Sequence, residues 1–448
     1  MESSDVENLV YDHRLSSVVP ATITGEDKVL NLTNADLAMK LHYLRGVYFF
    51  RSEAVDGLNT GDLKSPMFRL LAYFYPAAGR IRRSPEDGRP FVKCNDSGVR
   101  IVEAKCSKTI DEWLDMSDQS EYEHLLHHDQ VLGPDLGFSP LVFIQFIGIL
   151  DHMYNCRSGV CLTREYRGIS WAHVLGDAFS LSDFVNMYGP AIAGRRDLPP
   201  KHPDMPTADN HNCAKPRTQK LFPFSLGTVG PVGDHWKLTN TCKMATQSYH
   251  ITEKQLNALI FKVSGLKQSA KVKAFEAISA LFWKSLAKVK GELESGLETV
   301  TIVKNDFHSR GNGQVISAVK AEMRVSEADV LELANLIGEK AVDETGIIYE
   351  TMEEENGKSA DFFVYGANLT FVNLEEVNIY GLEMKGENPI FANCTISGVG
   401  DEGAVLVLPG PENLKGKEGG RIVNVILPEH LLGKLKNEIG KELGTSPN

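Results

Sequence analysis

Between residues 188 and 235 the chain changes character. Prolines from Pro190 to Pro223 crowd among Asn, Asp, His and Lys, and large apolar residues become scarce. Such a stretch cannot build a core of its own, so it reads as a long crossover between two folding units. At 448 residues the chain also exceeds what one ordinary core holds. The expected division is a first domain over 1–189, a crossover over 190–235 and a second domain over 236–448.

Both halves mix helical and strand-like patterns. "SSVVPATITG" reads as a strand entering a turn, and "LTNADLAMKLHYLRGVYFF" as a helix capped by Thr33 or Asn34, with Asp36 placed for a capping box. "SPMFRLLAYFYPAAGRIR" predicts a second helix stopped by Pro76 and Gly79, and "RPFVKCNDSGVRIVEAKC" a hairpin turning at Asn95–Gly98. Past the crossover, "ITEKQLNALIFKVSG" predicts a helix with Thr252 and Gln255 as its capping pair. "KAFEAISALFWKSLAKVKG" places Phe275, Ile278, Phe282 and Leu286 on one buried stripe, and Ser326 is the expected cap of "SEADVLELANLIGEK". The last third is mostly strands, closed by the helix "EHLLGKLKNEIGKEL". The expected class is α/β, two domains with mixed sheets.

Composition removes several functions. A net charge of -12 argues against nucleic acid or anionic lipid as the main ligand. The densest basic run, "GRIRR" at 79–83, reads as a solvated turn. Seven cysteines at irregular spacing, with no C-x-x-C pair, suggest reduced thiols rather than a zinc site or a disulfide framework. The acidic start "MESSDVENLVYDHR" lacks the apolar core of a signal peptide. The longest apolar run, "PLVFIQFIGIL", is far short of the ~20 residues that span a bilayer.

Few residues carry candidate chemistry. "SGVGDEG" matches the glycine spacing of a dinucleotide site, but "AVLVLPG" after it is a strand where a helix is required, so it reads as a hairpin turn. No G-x-S-x-G elbow occurs, and His127-His128-Asp129 has no further ligand at metal spacing. The stretch "ISWAHVLGDAFSLSDF" remains, with His173 and Asp177 four apart where strand-like sequence meets a helical pattern. A neutral imidazole is the natural general base near neutral pH, since its ordinary pKa is about 6.5. On spacing alone, H-x-x-x-D is a common pattern and a structural histidine is the plainer reading.

The order of "SSVVPATITG", "YPAAGRIR", "DLGFSPLVFIQF", "WAHVLGDAFS" and "LPEHLLGKLK" resembles the plant BAHD acyltransferase family from end to end. "DLAMKLHYLRGVYFF", "VLGPDLGFSPLVF", "LTNTCKM" and "DFFVYGANLTFVNLEE" resemble its cuticular-wax branch, the eceriferum and glossy type. The resemblance implies a two-domain, chloramphenicol acetyltransferase-like fold with mixed sheets and a channel between the domains. It implies acyl-CoA as the possible substrate, no permanent cofactor and no metal. His173 would take the proton of an acceptor alcohol or amine, while Asp177 would be structural.

Departures from the family pattern are concentrated in the second half. Where family enzymes carry D-F-G-W-G, this chain reads "EMKGE", leaving Glu383 and Gly386 as the remnant. Y-F-G-N is absent from "NDFHSRGNGQVIS", where Arg310 remains, and Ala172 and Ala178 flank the first motif at positions often occupied by His and Gly. "LTREYRG" brings extra charge into the strand feeding that motif. The wax-branch resemblance implies an accessory role in very-long-chain fatty acid elongation, as a partner of a β-ketoacyl-CoA synthase on the cytosolic face of the endoplasmic reticulum. The alternative is an acyl-CoA-dependent O-acyltransferase with His173 as general base, acting in the cytoplasm.

Overall fold

Continuous runs of aromatic and β-branched residues, buried on both faces, organise the chain around two large sheets. A computed structural model describes residues 9–55, 57–115, 135–149, 164–194, 222–264, 272–291, 297–305, 311–355, 360–411 and 419–444. Tyr43–Phe50 is buried along its whole length, as a strand covered on both faces must be. It pairs antiparallel with Arg164–Ala172 on one side and Phe391–Ser397 on the other. Val142–Ile149, Val99–Cys106 and Val10–Val18 complete the six strands, with Val99–Cys106 and Val142–Ile149 parallel. Phe391–Ser397 belongs by sequence to the second half, yet it extends the sheet made by the first.

The other large sheet has seven strands. Their order is Met244–Thr252, Gly420–Pro428, Ala404–Pro409, Thr370–Asn373, Thr299–Asn305, Gln314–Lys320 and Val342–Asp343. Its centre is parallel and its flanks antiparallel, so both sheets are mixed. Helix Ala274–Lys290 covers it with the expected stripe, each of Phe275, Ile278, Phe282 and Leu286 being buried. Thr252 and Gln255 cap helix Glu253–Ser264 as the sequence predicts.

Several local expectations are corrected. The capping box of Thr33 and Asp36 forms, but its helix is only Asn34–Ala38 and the following "YLRGVYFF" is a strand. A short, mostly apolar run reads the same in either structure, and here burial on both faces decides for the strand. Pro90–Lys93 and Val99–Cys106 are no hairpin: the first joins a three-stranded sheet with Val29–Asn31 and Arg80–Arg83, the second the six-stranded sheet. Arg80 holds the turn between them by donating to the carbonyls of Ser97 and Gly98. Arg80 is therefore buried in a strand rather than solvated, and burial lowers its pKa to about 10.

Asp329, not Ser326, caps helix Val330–Glu339 through the amide of Leu331. Gly398 to Gly403 carry the chain from one large sheet to the other, from Phe391–Ser397 to Ala404–Pro409, instead of closing a hairpin. The charged stretch before the first motif is strand backbone, Arg164–Ala172. His127, His128, Asp129, Arg310 and residues 195–221 of the crossover lie outside the described residues.

Candidate functional site

Strand Arg164–Ala172 delivers His173 directly into a single 3-10 turn, His173–Leu175. Gly176 follows at φ 141, a backbone conformation that a side chain disfavours. Asp177 then caps helix Ala178–Asn186, its Oδ1 accepting from the amides of Phe179 at 3.1 Å and Ser180 at 3.0 Å. The Asp177 carboxylate is thus committed to a helix N-terminus. Burial pushes its pKa up to about 6 against the lowering effect of those amides.

The ring of His173 is 1% exposed, and both of its nitrogens are engaged. Nδ1 lies 2.9 Å from Oδ1 of Asn312, and Nε2 lies 3.2 Å from the hydroxyl of Tyr365. The polarity of this chain is fixed from its ends. Asn312 spends its Nδ2 hydrogens on Asp36 at 2.9 Å and on the carbonyl of His173 at 2.8 Å. Its Oδ1 can only accept, so Nδ1 of His173 is the protonated nitrogen and Nε2 carries the lone pair. Nδ2 of Asn312 fixes one end; Nε2 of Gln314 fixes the other, donating at 2.8 Å to the oxygen of Tyr365. The Tyr365 proton is left to point at Nε2 of His173. Burial, opposed weakly by Asn312, lowers the His173 pKa to about 4.

Tyr365 is itself held rigidly. Its amide and that of Val364 both donate to Nε2 of His42 at 3.3 Å, and Nδ1 of His42 donates to the carbonyl of Gly398 at 2.8 Å. The His42 and Tyr365 ring centroids are 4.7 Å apart, and both residues are fully buried. Burial and the nearby His173 bring the His42 pKa down to about 3. Sequence reading missed His42, Asn312, Gln314 and Tyr365, which come from three separate segments and form no local motif.

The second-motif remnant is a tight turn. Met384 and Glu387 exchange both backbone hydrogen bonds across Lys385 at φ 51 and Gly386 at φ 89, the left-handed pair that a primed hairpin turn needs. Met384 is buried, Lys385 and Gly386 exposed and Glu383 half-buried. The carbonyl of Glu383 packs so closely on Gly189 that a Cβ there would sit 2.2 Å from the oxygen. Leu382, one residue earlier, lines a small apolar pocket with Tyr48, Ile144, Phe146, Ile169 and Phe184; His173 is not part of its wall.

Residues 12–441 match the Transferase family. Protein ECERIFERUM 2 of Arabidopsis thaliana is 39% identical over 98% of this chain and 99% of its own length. The chain belongs to the BAHD transferase family. Its relatives place it in the cuticular-wax branch of that family: Protein ECERIFERUM 26-like and Protein ECERIFERUM 26, also of Arabidopsis thaliana, are 38% and 34% identical over 96% and 98% of this chain and 96% and 97% of theirs. Vinorine synthase shares the BAHD fold with a TM-score of 0.69 at 17% identity, covering 96% of this chain and 98% of that one. TRI101 of F. graminearum, solved with coenzyme A and deoxynivalenol, has a TM-score of 0.65 at 13% identity, covering 91% and 97%. Among the described residues of this BAHD protein no helix is long and apolar enough to cross a membrane, and no cluster of three or more metal-ligating side chains occurs.

Proposed function

We propose that this BAHD protein assists very-long-chain fatty acid elongation for cuticular wax as an accessory of a β-ketoacyl-CoA synthase, without transferring an acyl group through His173. One observation carries the reading: the lone pair that a general base would offer to an acceptor alcohol is taken by the hydroxyl of Tyr365, in a ring pair closed to solvent. A catalytic base must reach the proton it abstracts. Here the protein's own phenol sits on the nitrogen that would do so. The lowered pKa of His173 points the same way, since a weakly basic imidazole takes a proton poorly.

The likeness to the ECERIFERUM proteins supports the wax-related half of this reading. Asp177 then serves the helix it caps, and the turn bearing Glu383 and Gly386 serves packing against Gly189. Attachment to the cytosolic face of the endoplasmic reticulum would come through the membrane-bound synthase. Acyl-CoA would meet the synthase rather than be consumed here.

The test is co-expression of wild type and His173→Ala with a condensing enzyme in a host that makes only shorter acyl chains. Both forms are expected to lengthen the products. No lengthening with any plausible synthase would sink the accessory role. Loss of lengthening in a folded His173→Ala protein would favour the second reading, an acyl-CoA-dependent O-acyltransferase. That reading retains one supporting feature: donation from Nδ1 to Asn312 makes Nε2 the basic nitrogen, the tautomer such a base requires.

A further inference from the structure

We propose that Tyr365 is a built-in acceptor mimic that suppresses a latent esterase activity of His173, so that vacating its place lets water attack small activated esters. The inference rests on the reading of His173 given above and assigns the suppression to one side chain. Three observations support it. The hydroxyl of Tyr365 lies 3.2 Å from Nε2 of His173, where the hydroxyl of an acceptor would have to lie to lose its proton. The residue is fully buried, its backbone is held by His42 through the amides of residues 364 and 365, and its ring packs against the His42 ring at 4.7 Å between centroids. Gln314, 7% exposed, donates to the same hydroxyl while its Oε1 has no hydrogen-bond partner.

Removing the phenol therefore leaves a polar space and not a dry one. Nε2 of His173 and Nε2 of Gln314 would face it, and two to four such partners are what a buried water needs. A water there has its proton aimed at Nε2. In the reaction its oxygen bonds to the ester carbonyl carbon as the proton passes to Nε2. The bond from carbon to the leaving oxygen then breaks, and the leaving oxygen takes the electron pair and the proton held on Nε2, which returns His173 to its neutral form. Acid and alcohol are the only products.

The probe is p-nitrophenyl acetate, a small aromatic ester whose leaving group resembles the missing ring. Tyr365→Ala is expected to release p-nitrophenol at least about tenfold faster than wild type, at the lower edge of what general base catalysis contributes. Tyr365→Ala/His173→Ala should lose that gain, added phenol should suppress it by refilling the space, and Tyr365→Phe, which keeps the ring, should show only a small part of it. Tyr365→Leu vacates the far half of the ring as well as the hydroxyl's place, which Tyr365→Phe does not, and it should show a His173-dependent gain as well. A folded Ala or Leu variant at the wild-type rate overturns the proposal. So does a gain that survives loss of His173, or one of equal size in Tyr365→Phe. The elongation assay is independent: its failure removes the accessory role and leaves the esterase result standing, and the reverse holds too.

Discussion

The carboxylate of Asp36 accepts a 2.9 Å hydrogen bond from the amide of Asn312, whose oxygen in turn lies 2.9 Å from Nδ1 of His173. The two partners are 276 residues apart in sequence. Asp36 also closes the capping box of helix Asn34–Ala38, so a short helix near the start of the chain and a turn before strand Gln314–Lys320 jointly orient the imidazole. Asn312→Ala would leave Nδ1–H of His173 and Oδ1 of Asp36 without these partners inside the fold, while the carbonyl of His173 keeps the amide of Gly176. An unsatisfied buried group costs ~1–3 kcal/mol, so the expected loss of stability is roughly 2–4 kcal/mol. Urea unfolding should show a lower midpoint with an unchanged slope.

Both buried histidines should remain neutral across the physiological range. Burial lowers His173 to about 4 and His42 to about 3. In NMR titration neither ring should show the protonation shift of an ordinary histidine between pH 8 and 5, whereas exposed histidines titrate near 6.5. A His173 midpoint near 6.5 would mean that its ring is open to water and would undo the closed geometry.

Asp177 sets an opposing pH dependence. A histidine whose folded pKa is depressed stabilises the fold above about 6.5 and loses that contribution as pH falls toward its folded value, because the unfolded chain binds the proton first. Asp177, raised to about 6, works in reverse: the folded chain holds its proton more tightly, so its contribution falls as pH rises from about 4 to 6. Asp177→Asn keeps an oxygen for the amides of Phe179 and Ser180 but removes this titration. The variant should be at least as stable as wild type at pH 8 and lose stability more steeply on acidification from pH 6 to 4. Asp177→Ala lacks the cap altogether and should be less stable than Asp177→Asn by about 1–2 kcal/mol, measured by denaturant unfolding at pH 8.

The elements that were legible in the sequence are those written in local chemistry. Thr33 and Asp36 announce their capping box, and the stripe of Phe275, Ile278, Phe282 and Leu286 announces a helix face, because spacing within a few residues determines each. His173 and Asp177 were legible for the same reason. Their surroundings were not. Asn312, Tyr365 and Gln314 meet His173 because strand Phe391–Ser397 and the loops beside it bring the second half of the chain onto the first, whereas His42 meets it through the pairing of Tyr43–Phe50 with Arg164–Ala172. Tyr43–Phe50 reads as helix in the sequence because a short, mostly apolar run broken only at Arg45 and Gly46 shows no clear period.

Two glycines with left-handed backbones should respond differently to a methyl group. Gly398 has φ 80, and a Cβ there would lie 2.0 Å from the carbonyl oxygen of Leu41; Gly386 has φ 89, and nothing lies within 4 Å of its Cβ position. Gly386→Ala therefore incurs only the conformational cost, about 1–2 kcal/mol. Gly398→Ala adds a clash with rigid backbone next to His42, whose Nδ1 donates to the carbonyl of Gly398 itself. Shifting that carbonyl moves His42, and His42 holds the backbone of Tyr365. The expected loss for Gly398→Ala is several kcal/mol, at the upper end of what single substitutions cause, and thermal unfolding should rank the two variants accordingly. Equal losses would show that the crossing at Gly398 yields to a side chain, and that the imidazole–phenol pair is less firmly held than its hydrogen bonds imply.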